Sequence, residues 1–169
     1  SAYIAPLFNQ AKDVAWNYLK HYARPLLAKP PNESELYVEL LNGGRIRLYG
    51  ADNPDRLRGL YLDDVVLDEY ADMHPAVWGE VIRPLLADRL GRATFIGTPK
   101  GRNAFFDLYS RAQTDPEWHH FMLRASETGI VSELELASAR KDMTPEQYEQ
   151  EFECSFEAAI LGAYYGKEM

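Results

Sequence analysis

A short apolar run that ends in two adjacent acids constrains the fold of this chain more than any other segment. The run is Val65-Val66-Leu67, and it lies between Asp64 and the pair Asp68 and Glu69. A run rich in β-branched residues and bounded by carboxylates predicts a strand buried on both faces, which is typical of a parallel sheet. The acids then stand where such a strand ends.

A second run of the same kind follows about 30 residues later, the length of one strand–helix–strand unit. Ala93 to Ile96 predicts another buried strand, which ends at Gly97-Thr98-Pro99. Between the two strands, Pro75 suits the first turn of a helix with one apolar stripe. Strands that alternate with helices in this way predict an α/β fold with right-handed crossovers.

Other segments carry the patterns of further elements. They predict a strand over 3–5, a helix capped by Asn9, a β-hairpin of 36–41 and 45–49, a helix capped by Asn103, a strand over 118–123, and helices capped by Ser132 and Thr144. From 162 onward the pattern predicts a linker.

Composition excludes several classes of protein. The 169 residues suit one domain, and no apolar run approaches the roughly 20 residues needed to cross a bilayer. The net charge of −8 argues against a dedicated nucleic-acid-binding module, although arginines concentrate in the middle of the chain. The single cysteine, Cys154, cannot form an internal disulfide, so a reducing cytoplasm fits best.

The adjacent acids suggest chemistry because ligands collect outside the carboxyl ends of parallel strands. Neighbouring residues point to opposite sides, so Asp68 can hold Mg²⁺ through its water shell while Glu69 orients or deprotonates an attacking water. The hydroxyl of Thr98, in a turn at the same sheet edge, can sense a γ-phosphate. Read separately, a polar strand exit explains the acids as well as catalysis does, and plain turn chemistry is the better explanation of Gly97-Thr98-Pro99. Together they favour nucleotide hydrolysis.

These residues resemble a known family. Val65 to Glu69 looks like a Walker B strand, and Gly97-Thr98-Pro99 looks like the coupling motif of phage terminase large subunits, the ATP-driven motors that package DNA. The resemblance extends to 3–12, to 144–152 and to 162–168, and so covers nearly the whole chain. It implies a P-loop NTPase fold of the ASCE or RecA-like kind, with a mostly parallel sheet flanked by helices.

The resemblance also implies roles. Glu69 would be the catalytic glutamate, and Asp68 would bind nucleotide-bound Mg²⁺ through water. Gly97 would belong to the nucleotide site and Thr98 would couple the γ-phosphate to movement. Arg58 matches the position from which some terminases supply an arginine finger to a neighbouring subunit, which suits a guanidinium. The implied cofactors are ATP and Mg²⁺. The implied partners are double-stranded DNA, portal protein, the small terminase subunit and neighbouring large subunits, in the host cytoplasm and with no membrane.

No phosphate-binding loop of the form Gly-x-x-x-x-Gly-Lys-Ser/Thr occurs in the sequence. Gly162 to Lys167 imitates it with the wrong spacing. The resemblance places that loop before Ser1 and a nuclease domain after Met169. It thus predicts a partial ATPase domain over 1–161, a linker over 162–169, and weak or absent nucleotide binding and hydrolysis by the chain alone.

Three alternatives compete with this interpretation. Asp68 to Asp72 echoes the acid box of a helicase-like ATPase, but the final acid is displaced. A non-catalytic prophage remnant or assembly module would keep the fold only. A metal nuclease using Asp63, Asp64, Asp68 and Glu69 is the weakest, since the two acid pairs lie about 13 Å apart along a strand. His74, His119 and His120 match no motif and are interpreted as structural.

Overall fold

The computed structural model describes residues 1–157, which fall into two compact units that divide after Gly97. The first unit, Ser1–Gly97, contains every strand of the described chain. Its elements are β1 (Ala2–Ala5), α1 (Phe8–Ala11), α2 (Asn17–Ala23), β2 (Tyr37–Glu39), β3 (Arg45–Gly50), β4 (Asp64–Leu67), α3 (Arg83–Ala87) and β5 (Arg92–Phe95). A π-helical segment, Lys12–Trp16, joins α1 to α2, and another, Val77–Ile82, precedes α3.

The five strands form one sheet in the order β2-β3-β1-β4-β5. β1 lies in the centre and pairs in parallel with β3 on one side and β4 on the other. β4 also pairs in parallel with β5, whereas β2 and β3 form an antiparallel hairpin. The structure therefore confirms the predicted α/β fold with a mostly parallel sheet and a β-hairpin.

The prediction that both motif strands are buried on both faces is wrong. In β4, Val65 and Leu67 are buried while Val66 is half-buried, so burial alternates along the strand. In β5, Arg92 and Thr94 are exposed. Among the described residues, β5 lies at the edge of the sheet with a strand on one side only, so it is enclosed less than a central strand.

Helices cover the two faces of the sheet. The segment Phe8–Ala23 buries Ala11, Trp16 and Ala23 against a core that includes Ala5 and Leu48. On the other face, the ring of Trp78 meets that of Phe95 edge-on, with 4.8 Å between centroids. The predicted Asn9 cap is wrong, because the helix begins at Phe8 with Leu7 at the capping position and no side-chain cap.

The second unit, Thr98–Met169, is helical in its described part. It contains α4 (Ala104–Ala112), α5 (Ala125–Thr128), α6 (Glu133–Asp142) and α7 (Pro145–Glu151). The predicted caps of α4, α6 and α7 are confirmed, since Asn103, Ser132 and Thr144 each accept backbone N–H groups of the helix they precede. Thr144 and Gln147 form a complete capping box.

The predicted strand over 118–123 is wrong. The second unit offers no partner strand within its described residues, and the side chains of Phe121 and Leu123 are exposed. The predicted linker over 162–169 lies outside the described residues. None of the helices in the described chain is both long and apolar enough to cross a membrane.

Candidate active site

The turn that follows β4 is held between the ends of the two neighbouring strands. The N–H of Asp68 donates to the carbonyl of Ile4 in β1 at 2.8 Å. Two residues later, the N–H of Tyr70 donates to the carbonyl of Ile96, just after β5, at 3.0 Å. The segment between these two bonds, Asp68 and Glu69, is called the acidic turn. Its backbone is thereby fixed at the carboxyl edge of the sheet, as the sequence predicts.

Glu69 adopts a left-handed backbone conformation, with φ 51° and ψ 45°. For a residue with a Cβ, this conformation costs on the order of 1 kcal/mol, so something must hold it in place. Beyond the two strand-end bonds, the carbonyl of Glu69 accepts from the N–H of Asp72 at 2.9 Å and thereby starts the short 3₁₀ turn Tyr70–Asp72. Such strain concentrates at functional sites.

The carboxylate of Asp68 is oriented from two sides. Its Oδ1 accepts from the N–H of Glu69 at 3.0 Å, and its Oδ2 accepts from the hydroxyl of Tyr3 in β1. Tyr3 pairs with Val66, so its side chain shares a sheet face with Asp68. Burial, and then the hydrogen bond and charge of Asp68, raise the pKa of Tyr3 above its ordinary value, so it remains a donor. The sequence alone did not identify Tyr3, because its role depends on strand register.

The acidic turn fits a Mg²⁺ ion held through water, but not one bound by protein ligands alone. Among the described residues no three His, Cys, Asp or Glu side chains are grouped to hold a metal. Mg²⁺ normally keeps several waters and takes only one or two carboxylates together with substrate phosphates. A carboxylate has about four lone-pair sites, so the two hydrogen bonds leave Asp68 able to accept from the water shell of an ion.

Gly97 lets the acidic turn approach β5. A Cβ at this position would lie 3.3 Å from the backbone nitrogen of Tyr70 and 3.4 Å from Cα of Glu69. The structure thus gives Gly97 a packing role beside the acidic turn, whereas its role in nucleotide binding stays a prediction. Thr98 follows it as the first residue of the second unit and is half-buried.

Arg58 lies on the wall of a cavity of about 340 Å³ at the ends of β1 and β3. The other lining residues include Pro6, Ala51 and Asp52 after those strands, and Asp72, His74 and Glu80 after the acidic turn. The guanidinium is exposed and its Nε donates to Asp55 at 3.2 Å. Because both partners are exposed, the pair is easily broken, and Arg58 can reach other groups.

The remaining candidates have structural explanations. Asp63 and Asp64 stand at the start of β4, where they pair with Arg89 and Arg92. They therefore lie at the opposite end of the strand from Asp68 and Glu69, as their spacing predicts. His74 accepts the N–H of Ala76 through Nδ1 at 3.2 Å and so helps begin the following helix.

Known proteins with similar sequences share one description. Over 161 residues, which are 90% of this chain and 36% of the relative, the chain is 27% identical to the terminase large subunit of Escherichia phage T5. Over 89 residues, 53% of this chain and 17% of the relative, it is 42% identical to that of Thermus phage G20c. This chain is related to the phage terminase large subunits. It spans well under half the length of these curated relatives.

Solved structures place the terminase likeness in one domain. The ATPase domain of the Thermus phage P74-26 large terminase has a TM-score of 0.78 and 25% identity, over 92% of this chain and 75% of that one. The large terminase of another thermophilic bacteriophage, in complex with ADP, has a TM-score of 0.74 over 92% of this chain and 40% of that one, at 15% identity. No family model matches the chain. The fold is therefore that of a terminase ATPase domain.

Proposed function

We propose that this chain is the part of a terminase motor domain that carries the catalytic acids, and that it serves ATP-driven movement of double-stranded DNA into a procapsid. The observation that carries this proposal is the acidic turn. Two carboxylates stand at the carboxyl edge of a parallel sheet, one oriented by two hydrogen bonds and the other held in a strained backbone conformation. Leu36 and Leu90 share this positive φ, but of the three only Glu69 places a group there that can accept a proton.

In this proposal, Asp68 accepts hydrogen bonds from the water shell of a Mg²⁺ ion that neutralises the phosphates of bound ATP. Tyr3 keeps the Asp68 carboxylate in place. Glu69 then receives the proton of the water that attacks the γ-phosphate, and Thr98 responds to the presence of that phosphate. The large terminase of the second thermophilic phage has been solved in complex with ADP and, separately, with ATP-γ-S, which supports nucleotide binding in proteins of this fold.

Arg58 acts in a neighbouring subunit in the same proposal. Its exposed position and its weak pair with Asp55 leave the guanidinium able to reach outward and to offset charge on the transferring phosphoryl group. The proposed partners are portal protein, the small terminase subunit, DNA and further large subunits. The proposed location is the cytoplasm of a bacterial host.

The role of Glu69 is tested by hydrolysis. The chain has no phosphate-binding loop motif, so we expect negligible ATPase activity from it alone. A chimera that places, before Ser1, the segment preceding the matched region of the T5 protein is expected to hydrolyse ATP. Glu69→Gln should slow this chimera at least about 100-fold, the usual contribution of a general base.

The matched control is Asp63→Asn, which removes an exposed acid at the other end of β4 and should leave the rate unchanged. A folded chimera that is inactive, or one equally fast with Gln at position 69, would contradict the proposal and favour a non-catalytic assembly module. Hydrolysis by the chain alone that disappears with Glu69→Gln would contradict the expected dependence on a phosphate-binding loop.

Action of Arg58 across subunits is tested by mixing variants of the chimera. Arg58→Ala and Glu69→Gln should each be inactive, because one lacks the finger and the other lacks the base. An equimolar mixture should recover activity, since an Arg58→Ala subunit keeps Glu69 and can receive Arg58 from its neighbour. Full activity of Arg58→Ala, or no recovery on mixing, would rule out the proposed role.

A further inference from the structure

The cavity beside Arg58 combines an apolar floor with an acidic rim. Its buried lining residues are all apolar: Ala51, Met73, Val77 and Val81. Three exposed acids line it too: Asp52, Asp72 and Glu80. Among the described residues that line it, Arg58 is the only lysine or arginine. A long basic side chain lays its methylene stem on apolar surface and keeps its charged head near water, so this cavity suits the side chain of Arg58 itself.

The loop that carries Arg58 fixes its backbone and leaves its side chain exposed. Leu57, the residue before it, is fully buried, and the N–H of Arg58 donates to the carbonyl of Asp55 at 3.3 Å. Gly59, the residue after it, has a φ of 79°, a conformation that glycine adopts readily. The side chain of Arg58 is 59% exposed. Movement of the guanidinium therefore needs only rotation of side-chain bonds, which is fast in exposed residues.

Arg58 has acidic neighbours both outside the cavity and on its rim. Outside, its Nε donates to Asp55, whose side chain is 86% exposed, so water weakens the pair. On the rim, Glu80 forms no ion pair with any described residue. Asp72 belongs to the short turn that begins at Glu69, because its N–H donates to the carbonyl of Glu69 at 2.9 Å. Pairs between exposed side chains differ little in strength, so the two arrangements should differ in population by no more than about fivefold.

We propose that Arg58 has a second, inward position, in which its guanidinium turns into the cavity and pairs with Asp72 and Glu80. In that position the arginine is withheld from a neighbouring subunit, a consequence that rests on the proposed role of Arg58 as an arginine finger. Because Asp72 is joined to the turn of Glu69, a shift of that turn alters how readily a subunit offers its own Arg58. The existence of the inward position itself does not depend on ATP hydrolysis.

Nuclear magnetic resonance of the chain alone tests the inward position. The resonance of the Arg58 side-chain Nε–H reports the average of the two positions, because they exchange rapidly. Asp55→Asn removes the outward partner and should move this resonance in one direction. Asp72→Asn with Glu80→Gln, the rim variant, removes the inward partners and should move it in the opposite direction. Arg58→Lys assigns the resonance, and Asp63→Asn, which changes an exposed acid at the start of β4, is the matched control that should leave it in place.

Three results would overturn the inward position. In the first, the resonance lies at the same place in the wild type and in the rim variant, which means that the guanidinium never turns inward. In the second, Asp55→Asn and the rim variant move the resonance in the same direction. In the third, Asp63→Asn moves it as far as the rim variant does. All variants change exposed positions, and circular dichroism checks that each is folded.

The withholding of Arg58 is tested by mixing variants of the chimera. A Glu69→Gln subunit supplies Arg58 to its neighbour and needs no hydrolysis of its own. When this donor also carries the two rim changes, it should restore more activity to Arg58→Ala subunits, by up to about sixfold, because its arginine is no longer held inward. Equal or lower restoration overturns the withholding. No restoration by either donor counts instead against the proposed role of Arg58 as a finger.

Discussion

At the scale of single residues, Glu69 is one of three residues of the first unit that carry a side chain at positive φ, together with Leu36 and Leu90. Its left-handed conformation places a carboxylate beyond the end of β4, and four hydrogen bonds of residues 68–72 maintain it. A proposed catalytic residue is thus held in position by a local conformation that glycine would adopt at lower cost.

Replacing Glu69 measures that cost. Glu69→Gly and Glu69→Ala both remove the carboxylate, but only Ala keeps the penalty of a Cβ at positive φ. We expect the Gly variant to be more stable than the Ala variant by about 1 kcal/mol in urea unfolding. Equal stabilities, or a more stable Ala variant, would show that the turn carries no strain.

A second prediction concerns Gly97, where a methyl group added by substitution with alanine would meet the backbone of the acidic turn. Gly97→Ala should lower the free energy of unfolding by about 1 kcal/mol, since its Cβ would press on Glu69 and Tyr70. Gly79→Ala is the control. No atom lies within 4 Å of its added Cβ, and it stands in a helical segment, so it should raise stability by about 0.5–1 kcal/mol. Urea unfolding of both variants decides whether the close approach matters.

At the scale of elements, the sequence predicted best where the signal is local. The caps of α4, α6 and α7 are each set by side chains within three residues of the helix start, and all three are confirmed. The strand–helix–strand order around the acids is also confirmed, since β-branched runs and Pro75 act locally. The prediction of a strand over 118–123 is wrong because a strand requires a partner strand, and the described residues of the second unit provide none.

Neither the burial of β5 nor the contacts between strands could be predicted from the sequence, because both depend on distant segments. Whether β5 is central or at an edge depends on the sheet order, not on its four residues. The hydrogen bond from Tyr3 to Asp68 depends on the register of β1 against β4, which joins residues distant in sequence. The sequence therefore located the two acids, but not the hydroxyl that orients one of them.

At the scale of the whole molecule, stability should depend on alkaline pH. Burial raises the pKa values of Tyr3, Tyr49 and Tyr70, and Tyr3 is raised further by Asp68. When the pKa of a tyrosine is higher in the folded than in the unfolded protein, the folded state keeps its full stability below the unfolded pKa, which is about 10. The stability is lost as the pH rises above that value. We expect the melting temperature to fall progressively above about pH 10.

Tyr3→Phe measures how much the buried hydroxyl of Tyr3 contributes to this pH dependence. This variant should show a shallower decline of melting temperature above about pH 10 than the wild type, because one of the groups that must titrate is gone. Tyr18→Phe is the control, since Tyr18 is exposed and should leave the slope unchanged. An identical alkaline slope in the wild type and in Tyr3→Phe would contradict the raised pKa of Tyr3, whose first cause is burial and whose second is the hydrogen bond to Asp68.

The central place of β1 in the sheet has a consequence for how the chain is made. Ala2–Ala5 is synthesised before β3 and β4, its two neighbours in the described sheet, so its pairing with them must wait until the chain has lengthened. The β2–β3 hairpin is the one local pairing in the described sheet, whereas β1 requires distant segments on both sides. Such long-range pairing is slow and exposes apolar strands meanwhile. Synthesis that pauses before Asp64 would leave the middle strand of the sheet open along one entire side.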